Sequence, residues 1–338
     1  MYKQKDYLHE RIGSMRQLAG IRRSVLDDGK ARGMRILDIN NGSGLSFTVY
    51  PDRGMDIGEA WFKGVPLAWL TKNGPVAPQF YEPASFGWLR SWGGGLLTGC
   101  GMINVGGPVE VGGENLGLHG RLSNLPAENI NTESGWSESG IYLLEITGRI
   151  RQSKVFGENL LLTRRISTAM GDNSIIVEDT VTNESFQPSP LMILYHMNLG
   201  WPLVDDGCTI ETTEHEVIPQ NETAAAGITD WNKVTPPEAG FPEQVFYHCI
   251  EPDHYGWAEV SLINPKLQLA FKLSYRTEEL PYFVQWKKLA KSDYVIGFEP
   301  ANCFPEGQLK NAERGILQTL APGESRTMTL KIAVEELN

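Results

Sequence analysis

SIIVEDTVT, residues 174–182, alternates along its whole length. Ile175, Val177, Asp179 and Val181 fall on one face, and Ile176, Glu178, Thr180 and Thr182 on the other. A two-residue period with one largely apolar face predicts a half-buried antiparallel strand. Short β-rich runs recur outward from it, split by Gly, Pro, Asn and Asp. Upstream they cover 44–50, 141–150 and 159–168; downstream they cover 190–198, 257–263, 267–274, 282–287, 294–299 and 326–334. No long amphipathic helix interrupts the series, so strands must bury their apolar faces against other strands. The expected fold is all-β, a large antiparallel β-sandwich with few short helices. Residues 1–20 form an N-terminal extension with helical spacing at Leu8, Ile12 and Met15 and a stop at Gly20. Length alone suggests two domains, but neither an internal repeat nor a low-complexity linker appears, so residues 1–338 are expected to form a single domain.

The formal net charge is −11, and no stripe of Lys and Arg is present, so neither nucleic acid nor an anionic membrane surface is an expected partner. The first residues, MYKQKDYLHERIGSMRQ, lack an apolar core and a small-residue cleavage site. No run approaches the roughly 18 apolar residues of a membrane helix. A cytoplasmic location is the expectation. Cys100, Cys208, Cys249 and Cys303 form no CxxC pair and match no zinc ribbon, so they read as reduced, buried thiols.

The glycine-rich stretch 93–117, GGGLLTGCGMINVGGPVEVGGENLG, contains neither GxxxxGK[ST] nor GxGxxG, and no helical pattern follows it. A phosphate cradle needs a helix N-terminus behind its glycines. Tight turns and close backbone approach around a ligand cleft are the better reading. Four other segments set polar groups beside apolar runs: PDRGMDI at 51–57, GLHGRLSN at 117–124, LYHMNLGW at 194–201 and IGFEPAN at 296–302. Taken alone, His196 reads as a core histidine bonded to a carbonyl, and Glu299 as a turn acceptor. Together, each at an apolar strand end, they make a candidate acid–base pair, because a buried carboxylate is costly unless partnered. Arg53 and Asp56 read either as an ion pair within a turn or as ligand contacts, and His119 and Arg121 either as surface loop or as site. The run His248-Cys249-Ile250-Glu251-Pro252-Asp253-His254 is rich in metal-ligand types, but Pro252 rules out helical HExxH geometry, so it reads as a strand-to-strand loop. Nine tryptophans are many for this length. Trp88, Trp92, Trp201 and Trp286 lie near the polar segments, where flat rings suit the C–H faces of a sugar.

These segments resemble those of the galactose mutarotase (aldose 1-epimerase) superfamily. GLHGR at 117–121 is similar to the segment supplying a sugar-binding histidine, YHMNLGWP at 195–202 to the strand with the catalytic histidine, and GFEPAN at 297–302 to the catalytic glutamate segment. Gln285-Trp286 resembles a segment one strand before that glutamate, and APGES at 321–325 the turn opening the final strand. The order His119, His196, Glu299 is the family's order, and the likeness runs from about residue 30 to the end. RGMDI at 53–57, GGLLTGCG at 94–101 and LHGR at 118–121 resemble an aldose-1-epimerase-like, DUF4432-like branch. Met197 stands where mutarotases usually have proline, and Leu199-Gly200 where they have aromatic surroundings; these departures bear on the substrate rather than the fold.

The resemblance implies a mutarotase-like supersandwich with a sugar cleft on one sheet, and interconversion of sugar anomers without a cofactor. It implies that Glu299 acts as base and His196 as acid, that His119 and Arg121 bind the ring oxygen or hydroxyls, and that Arg53, Asp56 and Gln285 orient the sugar. Two alternatives stay open: an isomerase or lyase acting on a keto-sugar or uronic acid, gripped by Arg53 and Arg121, and a non-catalytic carbohydrate-binding protein. The expected partner is a small-molecule sugar; an antiparallel sandwich can also form a homodimer through an exposed edge or face, though no segment specifies one.

Overall fold

The computed structural model describes residues 5–213 and 215–337. Among them, two large antiparallel sheets carry most of the chain. The first has twelve strands. Its main path runs Gly20–Val25, Arg35–Asn40, Leu45–Tyr50, Asp56–Phe62, Leu97–Met102, Ser189–Gly200, Asp293–Ala301, Tyr282–Ala290, Gln244–Ile250 and His215–Pro219. The second has eight: Thr209–Thr212, Trp257–Asn264, Leu269–Arg276, Ser325–Glu336, Ser174–Asn183, Asn159–Ala169, Tyr142–Ser153 and Glu128–Trp136. Among the described residues, no helix is long and apolar enough to cross a membrane.

The eight-stranded sheet shows the alternation expected of it. Along Tyr142–Ser153 every second residue is buried, and along Ser174–Asn183 Ile175, Val177, Asp179 and Val181 are all buried while Ile176 is exposed. The centre of the twelve-stranded sheet differs, because Ser189–Gly200 is buried on both faces. Its residues Leu191, Ile193, Tyr195, Met197 and Leu199 join the main core between the sheets. Met192 and Leu194 point the other way, into a second cluster with Trp88, Trp92, Cys100, Val105, Ala301 and Cys303. Each fully buried large aliphatic or aromatic side chain contributes roughly 1.5–3 kcal/mol, so both faces stabilise this strand. Its outer face is roofed by loops rather than by a third sheet.

The N-terminal expectation is met only in part. Lys5–His9 is a short helix and Met15–Gln17 a 3-10 turn whose N-terminus Ser14 caps by accepting from the Arg16 N–H. Gly20 opens a strand rather than ending a helix, and residues 1–4 lie outside the described residues. Among the cysteines, Cys100, Cys208 and Cys303 are buried, but Cys249 is exposed, because it lies on the face of its strand turned away from the core.

Candidate active site

Strand register builds the site. The Ser189–Gly200 and Asp293–Ala301 strands pair Leu194 with Ala301 and Met197 with Phe298. The intervening His196 therefore lies across from Glu299, on the roofed face. His196 pairs on its other side with Thr98, and Glu299 with Val284. Neighbouring strands stand about 4.8 Å apart, so two side chains in one cross-strand row meet without any loop to place them. His196 Nε2 lies 3.3 Å from Glu299 Oε1. The contact lacks hydrogen-bond alignment, and Glu299 Oε1 and His196 Nδ1 are both buried without a hydrogen-bond partner among the described residues. Asn198, two residues on, donates to the backbone oxygens of Gly95 and His196 at 2.9 and 3.0 Å. Its Oδ1 is likewise unpartnered.

Loops bring the remaining groups. His119 follows the glycine-rich stretch with φ of 55°, in the left-handed region that β-carbon sterics disfavour. Backbone bonds hold it there: its N–H donates to Gly106 O at 3.0 Å and its carbonyl accepts from Gly101 N at 2.9 Å. Gly120, at φ 69°, lies so close to Gly101 that a β-carbon would fall 2.3 Å from the Gly101 oxygen. The His119 and His196 rings meet edge to face, 5.8 Å apart. Trp92 and Trp286 stand edge-on to His196 at 5.2 and 5.3 Å, and Trp88 packs on His119 at 4.9 Å. Trp69 ties Trp92 and Trp286 together. The cleft between them measures about 300 Å³, and Gln220, Glu243, Phe86 and Leu118 complete its wall.

Burial sets the electrostatics. Desolvation pushes the His196 imidazole well below its usual value; the nearby His119 acts in the same direction and Asn198 opposes it. Desolvation also lowers His119, to about 4. The Glu299 carboxyl is raised well above the ordinary range by burial, with a further push from the charge of Glu243. Both members of the pair thus favour their neutral forms.

The structure brings His119, His196 and Glu299 together and sets the other candidates elsewhere. Arg53 donates to Asn124 Oδ1 at 2.5 Å and Val76 O at 3.2 Å, and burial lowers its guanidinium to about 10. Asp56 accepts from Gly99 N at 2.8 Å and lies 3.7 Å from Arg164. Burial raises it to about 7, against the pull of Arg164 and the Gly99 N–H. Neither lines the cleft, and their side chains do not hydrogen-bond each other. Arg121 turns to Glu114, 4.0 Å away. Gln285 sits on the opposite face of its strand from Trp286, facing His248 Nε2 at 3.0 Å and donating to Trp231 O at 2.8 Å. Trp201 is exposed to solvent. Glu243, Gln220 and Trp69 are additions that sequence reading missed. Glu243 immediately precedes the apolar strand Gln244–Ile250, the same kind of placement that flagged Glu299, but nothing in the sequence marks it off from other polar strand ends.

Residues 31–334 match the family described as Domain of unknown function (DUF4432). The chain belongs to the DUF4432 family. No curated protein matches this family member. Among solved structures it is similar to a "putative aldose 1-epimerase" from Klebsiella pneumoniae subsp. pneumoniae MGH 78578. The identity is 26% and the TM-score 0.89, over 95% of this chain and 86% of that one. It also shares its fold with a galactose mutarotase-like protein from Clostridium acetobutylicum, at 14% identity and TM-score 0.65, covering 95% of this chain and all (100%) of that one. A galactose 1-epimerase from Lactobacillus acidophilus NCFM matches at 13% identity and TM-score 0.59, again over 95% and 100% of the two chains. This DUF4432 protein therefore has the mutarotase-like sandwich that the resemblance implied.

Proposed function

We propose that this protein is a sugar isomerase of the aldose 1-epimerase type, interconverting anomers by proton transfer between Glu299, His196 and the sugar. The observation that carries the reading is the His196–Glu299 contact of 3.3 Å at the floor of a tryptophan-walled cleft. Anomer exchange needs one group to take the proton of the C1 hydroxyl while another protonates the ring oxygen as the bond from C1 to that oxygen breaks. The open aldehyde turns about C1–C2, and the two transfers reverse on closure. The neutral pair, a protonated Glu299 beside a neutral His196, holds the same single proton as the ion pair, an ionised Glu299 beside a protonated His196. Burial favours the first, and the hydroxyls of a bound sugar favour the second. In the ion-paired form Glu299 is the base and His196 the acid. His119, held neutral, lines the same cleft and can meet a hydroxyl there.

Arg53 and Arg121 lie outside the cleft wall, which removes the residues that would have gripped a carboxylate in a uronate isomerase or lyase. The test is proton NMR of freshly dissolved pure anomers from a panel of aldoses. Glu299→Gln and His196→Asn should each slow equilibration by about 10²–10⁴-fold. A folded Glu299→Gln protein that equilibrates anomers at the wild-type rate would refute the reading.

A further inference from the structure

The cleft carries two acidic side chains. Glu299 lies at its floor and Glu243 at its rim. Among the described residues that line it, none is Lys or Arg. The two arginines that the sequence offers as ligand contacts are committed elsewhere: Arg53 to Asn124 and Val76, and Arg121 to Glu114. Glu243 has neither an ion pair nor a side-chain hydrogen bond among the described residues, although basic side chains pair with acidic ones at many other surface sites. Three tryptophans, Trp88, Trp92 and Trp286, line the same space and offer an anion no compensating charge. Outside the His196–Glu299 pair, which holds one proton and is neutral overall, the charge on the wall among the described residues is therefore that of Glu243.

We infer that Glu243 is a charge-selecting residue: the cleft admits sugars without negative charge, prefers an amino sugar to its uncharged parent, and rejects uronates and sugar phosphates. The inference names the substrate class for the proposed anomer exchange and rests on that reading for its rate measurement, but not for its binding measurement. Two effects act together. A bound anion would stand near the Glu243 charge in a space bounded by low-dielectric rings, and it would lose its hydration with no donor cation in return. A protonated amine would find the Glu243 carboxylate instead. Because Glu243 is exposed, solvent screens it, and its contribution should be a several-fold preference rather than an absolute one.

The experiment uses the whole protein and three matched probes, galactose, galactosamine and galacturonate, with galactose 6-phosphate as a second anion. Dissociation constants come from chemical-shift titration at low salt, and anomer exchange is followed in the same samples. The expected order of affinity is galactosamine, then galactose, then the two anions, with adjacent classes separated by roughly three- to ten-fold. Glu243→Gln should shrink those ratios, Glu243→Lys should invert them, and 1 M salt should shrink them in the wild type. Ratios within one protein are compared, so any effect of the substitution on the chemical step cancels. Galacturonate binding as tightly as galactose at low salt would overturn the inference, as would ratios unmoved by Glu243→Lys. If the charge order appears without anomer exchange, the catalytic reading fails and the selecting role of Glu243 stands. If anomers exchange with no charge order, the converse holds. If none of the four probes binds, both fail.

Discussion

At the scale of single residues, the cleft is a place where imidazoles and a carboxylate are kept from ionising. His119 shows what that does to stability. The folded protein holds its ring neutral down to about 4, whereas an ordinary histidine takes its proton near 6.5. Between those values the unfolded chain binds a proton that the folded protein refuses, so this contribution to stability is present above about 6.5 and is lost as pH falls toward 4. The ceiling for His119 is about 3 kcal/mol, and His196 acts in the same direction. His119→Gln removes one of the two titrations. Urea midpoints measured at pH 7 and pH 4.5 should lie closer together in the variant than in the wild type; an equal acid loss in both would clear His119 of the effect. Glu299 has the opposite sign, since raising a carboxyl costs stability as pH rises through its folded value. Between the lowered value of His196 and the raised value of Glu299 the pair keeps one proton. Anomer exchange should therefore show a broad plateau, failing on the acid side when His196 is also protonated and on the alkaline side when Glu299 loses its proton. Those limbs belong to the pair rather than to either residue.

At the scale of strands, the site depends on which face each position presents. Gly297 illustrates it. A β-carbon there would stand 2.8 Å from Glu299 Oε1 and 2.9 Å from the Trp286 β-carbon. Gly297→Ala should displace Glu299 or Trp286 and lose most of the anomer exchange. Overpacking of this kind costs about 1–3 kcal/mol, so the thermal midpoint should fall modestly while the fold is kept; unaltered exchange would show that Glu299 adapts. The same logic explains what the sequence let one read. The runs at 141–150, 159–168 and 174–182 were legible because one face is wet and the alternation survives. Leu97–Met102 was hidden, because its glycines look like turn residues. Gly99 is glycine for another reason: a β-carbon would meet Leu122 at 3.1 Å and Asp56 at 3.4 Å. His196 and Glu299 were legible as polar groups at apolar strand ends, helped by the resemblance. The resemblance of Gln285-Trp286 implies a sugar contact for Gln285, but adjacent strand residues face opposite ways, and it is Trp286 that lines the cleft. Arg53, Asp56 and Arg121 have the residue types of a binding site and are used for packing and pairing instead.

At the scale of the molecule, the two sheets are joined by more than apolar contact. Arg164 and Asp179 lie opposite each other in the eight-stranded sheet and form a two-pronged ion pair at 2.8 and 2.6 Å, both fully buried. Tyr195 of the other sheet donates to Asp179 at 2.8 Å, and Arg164 donates to Gly54 O at 2.9 Å. Arg164→Met would leave Asp179 buried with only the Tyr195 hydroxyl, and should cost about 3–5 kcal/mol in chemical denaturation. A loss below 1 kcal/mol would mean that the carboxyl takes up a proton or that water enters. The Tyr195 that closes this network is next in the chain to His196, yet the two look in opposite directions. Along Ser189–Gly200, odd positions hold the sheets together, while the even positions pack under the roof, where Met192 and Leu194 are core and His196 reaches the cleft. A lineage can thus change what the cleft accepts by rewriting His196 and the other cleft-lining positions of a few strands, while the residues next to them in the chain keep the sheets joined. New specificity and continued stability are inherited on separate tracks of the same segment.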